Sequence, residues 1–218
     1  MTRLVAVSVT PGVGPDLPGV GRGELRLALL EDTCDVVAGL PLVEQALVVS
    51  SDVDRELATD LVAPGTPVLT VPPGGPGEVT AAGLRALFAA GADEAVLVAG
   101  DAPDLPPLLV GKLFRGLGSA HVAVVPAADG GLVALAARRP PPDWFGTAAC
   151  GLDSPDALPR LRAAAPRRAL SVAPGWHRIR SAADLGRLDP DLEGWDATRL
   201  LLGSRPTGSR DHETSDPR

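Results

Sequence analysis

Short runs of apolar residues recur along the chain, separated by polar loops and by segments with a helical pattern. They are apolar throughout rather than alternating, which is typical of strands buried on both faces of a parallel sheet. The predicted strands are LVAVSV from Leu4, ALVVSS from Ala46, PVLTV from Pro67, AVLVAG from Ala95, HVAVVPA from His121, GGLVALAAR from Gly130 and ALSVAP from Ala169.

Between these runs, apolar residues at helical spacing predict helices over 24–38, 53–61, 79–90 and 107–117. Another is expected over 181–188, with Ser181 as its N-cap. Strands and helices that alternate in this way favour an α/β fold with three layers, α/β/α, and a mostly parallel central sheet. We expect one domain over residues 1–202. Residues 203–218 lack apolar periodicity, which predicts a disordered tail.

Open α/β sheets bind ligands beyond the carboxyl ends of their strands. This rule selects three loops, which cover residues 10–23, 100–106 and 126–131. The first contains GVGRG ahead of a helix, where glycines can let a phosphate approach the helix N-terminus. It has neither the Lys-Ser/Thr of a P-loop nor a third glycine at the dinucleotide offset, and Arg22 is its only cation.

The composition and net charge of the chain argue against several classes of function. The net charge of −7 opposes binding to nucleic acid and to anionic membranes, although a small nucleotide remains compatible with it. Aromatic residues make up only 3% of the chain, so the predicted core is aliphatic. Cys34 and Cys150 have no metal-binding spacing and are expected to be reduced thiols. With no apolar stretch of about 18 residues, we expect a cytoplasmic protein without a membrane span.

Two carboxylates follow the clearest strand, in the stretch VLVAGDAPDLPP. Asp101 directly follows the strand, and Gly100 before it permits close approach by a ligand or by another backbone segment. A divalent cation bound with a diphosphate needs only one or two protein carboxylates, so Asp101 is a candidate metal ligand. The alternatives are a hydrogen-bonded turn at the strand end for Asp101 and a helix cap for Asp104.

The stretch AADGG lies between two apolar runs and places Asp129, Gly130 and Gly131 in a loop. Its backbone N–H groups could bind a substrate, but Asp-Gly and Gly-Gly are equally typical of a hairpin turn. The histidines, His121, His177 and His212, show no partner that would form a catalytic triad, and no G-x-S-x-G motif occurs.

In this order, GDAPDLPP after a strand, VPAADGGLVALAARRPPPDWF about twenty residues later and LLEDT in the first helix resemble a known family. It is the glycosyltransferase-A-like family of radical-SAM/selenodomain-associated transferases, within the nucleotide-diphospho-sugar transferase superfamily. The likeness runs from about Leu4 to Leu188. It implies the nucleotide-diphospho-sugar transferase fold, a Mg²⁺ or Mn²⁺ ion and the nucleotide diphosphate on Asp101, and an acceptor pocket that includes Asp129, Gly130 and Gly131.

The chain departs from this family at both ends of the expected site. Relatives carry Gly-x-x-Lys-Thr-Arg-Leu in the first loop, whereas here Pro11, Gly12 and Arg22 are the candidates for donor binding. Relatives also carry acids near the end of the domain, where this chain has Arg178 and Arg180. A guanidinium about 4 Å from a cation costs roughly 4 kcal/mol at an effective dielectric near 20. Leu132 and Val133 replace two tyrosines.

Two hypotheses follow. In the first, the protein is a glycosyltransferase or nucleotidyltransferase that binds a nucleotide or nucleotide-sugar donor and a small-molecule acceptor. Asp101 would hold a metal, Arg22 and Arg180 would neutralise phosphate, and Asp129 would orient the acceptor or accept its proton. The arginines near the end would then make a site that depends little on metal or not at all. In the second, catalysis is lost and the fold serves as a binding or scaffold protein.

Overall fold

A computed structural model of the chain describes residues 1–9, 17–191 and 194–203, with the side chain of Arg22 excluded. Its strands are β1 (Arg3–Val9), β2 (Glu44–Val49), β3 (Val68–Thr70), β4 (Glu94–Ala99), β5 (Val122–Pro126), β6 (Leu132–Arg138) and β7 (Leu170–Val172). Its helices are α1 (Arg22–Ala38), α2 (Asp52–Thr59), α3 (Pro76–Ala89), α4 (Pro107–Leu117), α5 (Asp143–Ala148), α6 (Ala157–Ala164) and α7 (Asp196–Gly203). A 3₁₀ helix spans Ala182–Arg187.

The seven strands form one sheet in the order β3-β2-β1-β4-β6-β5-β7. The predicted mostly parallel sheet is confirmed, and β6 is its reversed strand, antiparallel to both β4 and β5. The reversal follows from the short loop after β5, because a loop of a few residues can join only antiparallel neighbours. The amide of Ala127 donates to the carbonyl of Gly131 across this turn at 3.1 Å.

Alternate side chains of β4 pack on opposite faces of the sheet, as the two-residue period of a strand requires. Val96 and Val98 contact the apolar cluster that includes residues of α1, α2 and α4. Ala95 and Leu97 contact the cluster that includes residues of α3, α5 and α6. The predicted three-layer arrangement is therefore confirmed, and β4 is buried along its whole length.

Three short helices, α5, α6 and α7, were not predicted from the sequence. After Arg139 the sequence is rich in proline and its apolar residues are irregularly spaced, so α5 and α6 were not predicted. Helix α7 is capped from a distance, because the carboxylate of Asp32 in α1 accepts hydrogen bonds from the amides of Ala197 and Thr198 at 2.8 and 2.9 Å. Burial raises the pKa of Asp32 despite these hydrogen bonds.

The helix predicted over 181–188 is present as a 3₁₀ helix, and Ser181 precedes it in a capping box with Asp184. Of the tail predicted over 203–218, Gly203 is the last residue of α7, and residues 204–218 lie outside the described residues. Within the ranges given above, no helix is long and apolar enough to cross a membrane.

Candidate active site

Asp101 stands where the sequence places it, just after the carboxyl end of β4 and partly exposed. Its carboxylate is held by a single guanidinium. Arg178 donates from Nε to Oδ1 at 2.5 Å and from Nη2 to Oδ2 at 2.9 Å. This is the two-pronged geometry in which arginine binds a carboxylate most tightly. A backbone hydrogen bond from the amide of Ile179 to the Asp101 carbonyl, at 2.8 Å, fixes the segment that carries the arginine.

Arg178 is buried, with only 5% of its side chain exposed, and its other donors are also engaged. Nη2 lies 2.7 Å from the carboxylate of Asp153, and Nη1 donates to the carbonyls of Leu132 and Leu152 at 3.2 Å each. Burial works against the charge, but attraction to Asp101 and Asp153 outweighs it and holds the pKa of Arg178 above its ordinary value. The side chain therefore remains a cation at the centre of the site.

Arg180 lies beside this pair, and one-third of its side chain is exposed. Its guanidinium is 3.9 Å from Asp101 and 3.9 Å from Asp153, and Nη1 donates to the carbonyl of Gly130 at 2.9 Å. Nη2 is buried and, among the described residues, has no hydrogen-bond partner. Burial and the neighbouring Arg178 lower the pKa of Arg180. Because one-third of the Arg180 side chain is exposed and neither carboxylate is bound closely, the exposed part of its guanidinium can bind an additional anion.

Asp129 is exposed and paired with Arg187, whose Nη1 and Nη2 lie 2.6 and 3.2 Å from its oxygens. The hydrogen bond from Arg187 lowers the pKa of Asp129, and attraction to Arg180 and His177 adds to the effect. The carboxylate therefore lies within electrostatic reach of both Arg180 and His177.

Backbone conformation and close neighbours explain why glycine occupies three positions of the predicted site. Gly130 and Gly131 have φ values of +90° and +76° in the turn between β5 and β6. A Cβ on Gly131 would approach the Leu152 carbonyl oxygen to 2.5 Å. A Cβ on Gly100 would lie 3.0 Å from Cδ1 of Leu30 in α1 and 3.2 Å from the Ser8 carbonyl oxygen in β1, so both elements approach Gly100 closely. Their predicted contacts with a ligand remain predictions.

The rest of the predicted donor site belongs to the first loop. Pro11 and Gly12 lie outside the described residues, and so does the side chain of Arg22, although its backbone begins α1. The structure therefore brings together Asp101, Arg180, Gly130 and Gly131, with Asp129 at the margin.

The arrangement does not fit a metal ion on Asp101. Each carboxylate oxygen accepts a hydrogen bond from the buried Arg178, and a divalent cation at that position would face a fixed positive charge. Over the part of the chain that the structure describes, no three His, Cys, Asp or Glu side chains are grouped so that they could hold a metal ion.

A second polar cluster was missed by sequence reasoning. Asp104, considered as a helix cap, instead accepts a hydrogen bond from Nε1 of Trp176 at 3.2 Å, and Nε2 of His177 lies 2.9 Å from its other oxygen. These residues are more than seventy positions apart, so no local pattern could have joined them. The one available indication was the adjacent pair Trp176–His177, just before the two arginines.

The strand order, the reversed β6 and the polar residues at the carboxyl end of β4 define a protein of the nucleotide-diphospho-sugar transferase fold. A candidate nucleotide-diphospho-sugar transferase from Desulfovibrio desulfuricans G20 has this fold, with a TM-score of 0.73 over 93% of this chain and 95% of that chain, at 19% identity. CMP:2-keto-3-deoxy-manno-octonic acid synthetase, complexed with CTP, has a TM-score of 0.58 over 93% and 99% of the chains, at 12% identity. Rv0371C from Mycobacterium tuberculosis H37Rv, complexed with manganese, has a TM-score of 0.52 over 93% and 99%, at 20% identity.

The chain belongs to the DUF2064 family, described as an uncharacterized protein conserved in bacteria, whose model matches residues 33–151. The matched segment includes β4, Asp101, Asp104 and Asp129 and ends before the arginines of the site. No curated protein gives a significant match to the sequence.

Proposed function

We propose that this protein is a transferase that binds a nucleotide-activated donor, in particular a nucleotide-diphospho-sugar, at the carboxyl end of β4. The observation that carries the proposal is the pair Arg178 and Arg180, which places two guanidinium groups beside Asp101. Fixed positive charge next to a reacting diphosphate stabilises the negative charge that develops on the leaving group. The resemblance to radical-SAM/selenodomain-associated transferases and the shared fold support the same class.

The two arginines have different roles in this proposal. Arg178 is buried and has Asp101 and Asp153 as its partners, so it sets the position of the carboxylates. Arg180 is more exposed and lies 3.9 Å from each carboxylate. Arg180 therefore binds the donor phosphate. Arg22, Pro11 and Gly12 would complete the donor site from the first loop.

The proposed site replaces a metal with arginine. Mg²⁺ or Mn²⁺ on Asp101, which the family resemblance implies, would require Arg178 to leave a buried position in which its guanidinium makes five polar contacts. We therefore expect donor binding to be independent of divalent cations. Because Rv0371C is complexed with manganese, the experiment must also test the alternative, in which donor binding depends on a divalent cation.

Arg180→Gln should weaken nucleotide binding by about 10- to 100-fold, because a hydrogen bond to a charged group contributes roughly 1.5–3 kcal/mol. The measurement is titration calorimetry of the full chain with nucleoside triphosphates and sugar nucleotides, in EDTA and again with Mn²⁺. The matched control is Arg167→Gln, since Arg167 is an exposed arginine after α6 and away from β4.

Absence of binding by every nucleotide, with and without Mn²⁺, would contradict the proposal. So would binding that Arg180→Gln leaves unchanged. Binding that appears only with Mn²⁺ and is lost in Asp101→Ala would show that a metal site forms when the donor arrives.

One observation favours a second candidate, a binding protein without turnover. The cluster of Asp101, Asp153, Arg178 and Arg180 contains two negative and two positive charges, so its formal charge is zero before any ligand arrives. Tight nucleotide binding without release of a nucleoside diphosphate from any sugar nucleotide would support this second function.

A further inference from the structure

A shallow, open pocket of about 520 Å³ lies beyond the carboxyl end of β5. It is lined by residues 126–128, by Gly175, Trp176 and His177, and by Arg187. The volume is within the range of small-molecule sites. Trp176 is fixed at its wall by backbone hydrogen bonds, from its amide to the Pro126 carbonyl at 3.0 Å and from the Ala128 amide to its own carbonyl at 2.9 Å.

Two ring side chains form one rigid surface in this pocket. The rings of Trp176 and His177 are stacked, with centroids 4.7 Å apart and planes inclined by 25°. Both are tied to Asp104, whose side chain is only 3% exposed, through Nε1 of the indole at 3.2 Å and Nε2 of the imidazole at 2.9 Å. A stacked pair anchored through a buried carboxylate cannot reorient without breaking hydrogen bonds.

The buried carboxylate also decides the tautomer of His177. A carboxylate accepts hydrogen bonds and does not donate them, so Nε2 must carry the proton that bridges to Asp104. In the neutral imidazole the lone pair is then on Nδ1, which has no hydrogen-bond partner among the described residues. An imidazole oriented by a carboxylate, with its other nitrogen free, is the arrangement that catalytic bases use.

The charges around the pocket indicate which ligands it accepts. Arg187 is already paired with Asp129 and lies 3.5 Å from Asp184, so the described residues that line the pocket offer no unpaired arginine or lysine to an anionic ligand. What remains is an aromatic surface formed by Trp176 and His177, with Arg187 at its border. Such a combination suits a neutral molecule with several hydroxyl groups, which can pack against the rings and hydrogen-bond at its edges.

We propose that this pocket binds a neutral polyhydroxylated acceptor and that His177 is the base that takes the proton from its reacting hydroxyl. This inference rests on the proposed function, since the transferred sugar comes from the nucleotide-activated donor. The acceptor oxygen forms a bond to the anomeric carbon of the donor, and the bond from that carbon to the diphosphate oxygen breaks. The electron pair leaves on the nucleoside diphosphate, and the acceptor proton moves to Nδ1 of His177. Asp104, a positioning residue, stabilises the resulting imidazolium.

The first test uses the full chain with ¹⁵N-labelled histidine. At a pH where His177 is neutral, its imidazole resonances should show the Nε2–H tautomer, and Asp104→Asn should abolish that preference. Titration with methyl α-glucopyranoside, glycerol or inositol should shift the His177 imidazole resonances in the wild type but not in Trp176→Ala. An Nδ1–H tautomer, or the absence of any shift with these polyols, would overturn the proposal.

The second test measures sugar transfer from a panel of sugar nucleotides to the same polyols. His177→Gln should lower kcat by about 100-fold or more while KM for the acceptor and affinity for the donor stay unchanged. The control, His121→Gln, alters an exposed histidine just before β5 and should leave transfer unchanged. Equal transfer by His177→Gln and the wild type would refute the base assignment.

The two proposals fail in different ways. Polyol binding that depends on Trp176, without any nucleotide binding, would refute the donor site and the base role of His177 but leave the acceptor pocket supported. Nucleotide binding without polyol binding would refute the acceptor pocket alone. Loss of nucleotide binding in His177→Gln would place His177 in the donor site and overturn the acceptor assignment.

Discussion

Arg178→Ala should lower the free energy of unfolding by about 3–5 kcal/mol, the range found when one member of a buried ion pair is removed. The substitution leaves Asp101 and Asp153 without the guanidinium that both of them contact. It also removes two donors from the carbonyls of Leu132 and Leu152. Since a domain of this kind is stable by only about 5–15 kcal/mol, the loss would be a large fraction of the total.

Urea denaturation followed by circular dichroism measures this loss, and Arg167→Ala is the control for removing an exposed arginine. We expect the control to change the free energy of unfolding by less than about 0.5 kcal/mol. A similarly small change for Arg178→Ala would show that the two carboxylates relax into solvent, which would remove the structural reason for calling Arg178 a fixed centre of the site.

The same variant tests whether Arg178 stands in place of a metal. Without the guanidinium, the carboxylates of Asp101 and Asp153 both border the space that it occupied. Two carboxylates with added water can hold a divalent cation. Mn²⁺ should therefore restore part of the lost stability, about 2.7 kcal/mol when its concentration is a hundred times its Kd. The wild type should not respond, and neither should the double variant Asp101→Asn with Arg178→Ala. A response of the wild type would contradict the arginine-for-metal interpretation.

The fold could be predicted because its signals are local. The run from Ala95 to Gly100 is apolar without alternation, and the structure buries it between two layers of helices as β4. The helix predicted over 107–117 has those limits in the structure, where Pro107 occupies its first position. A hairpin turn was one of the two alternatives for AADGG, and the structure has such a turn between the antiparallel strands β5 and β6.

The site could be predicted only in part, because its decisive contacts join residues far apart in the chain. The sequence predicted Asp101 at the carboxyl end of β4, but it indicated that the positive charge of Arg178 would repel a metal ion there. That Arg178 is instead the partner of Asp101 depends on the segment after β7 crossing the end of β4, which no periodicity encodes. The pairing of Asp104 with His177 depends on the same crossing.

Gly151→Ala should destabilise the protein by more than about 3 kcal/mol, because a Cβ at this position has no space. It would overlap the carbonyl oxygen of Pro76 and the hydroxyl of Thr80 at the start of α3. Two hydrogen bonds oppose the shift that would relieve this overlap. The Thr80 hydroxyl accepts from the Leu152 amide at 3.2 Å, and the Gly151 amide donates to the Ser154 hydroxyl at 3.0 Å.

The consequence reaches the site, since the loop that Gly151 begins carries the Leu152 carbonyl and the Asp153 carboxylate that contact Arg178. Gly146→Ala is the matched control in the neighbouring helix α5, where a Cβ would meet no atom within 4 Å. This control should be neutral or stabilise the protein by about 0.5–1 kcal/mol, as expected for alanine in place of glycine within a helix. Thermal unfolding of the two variants distinguishes them. Equal melting temperatures would show that the loop is loosely packed and does not position Arg178.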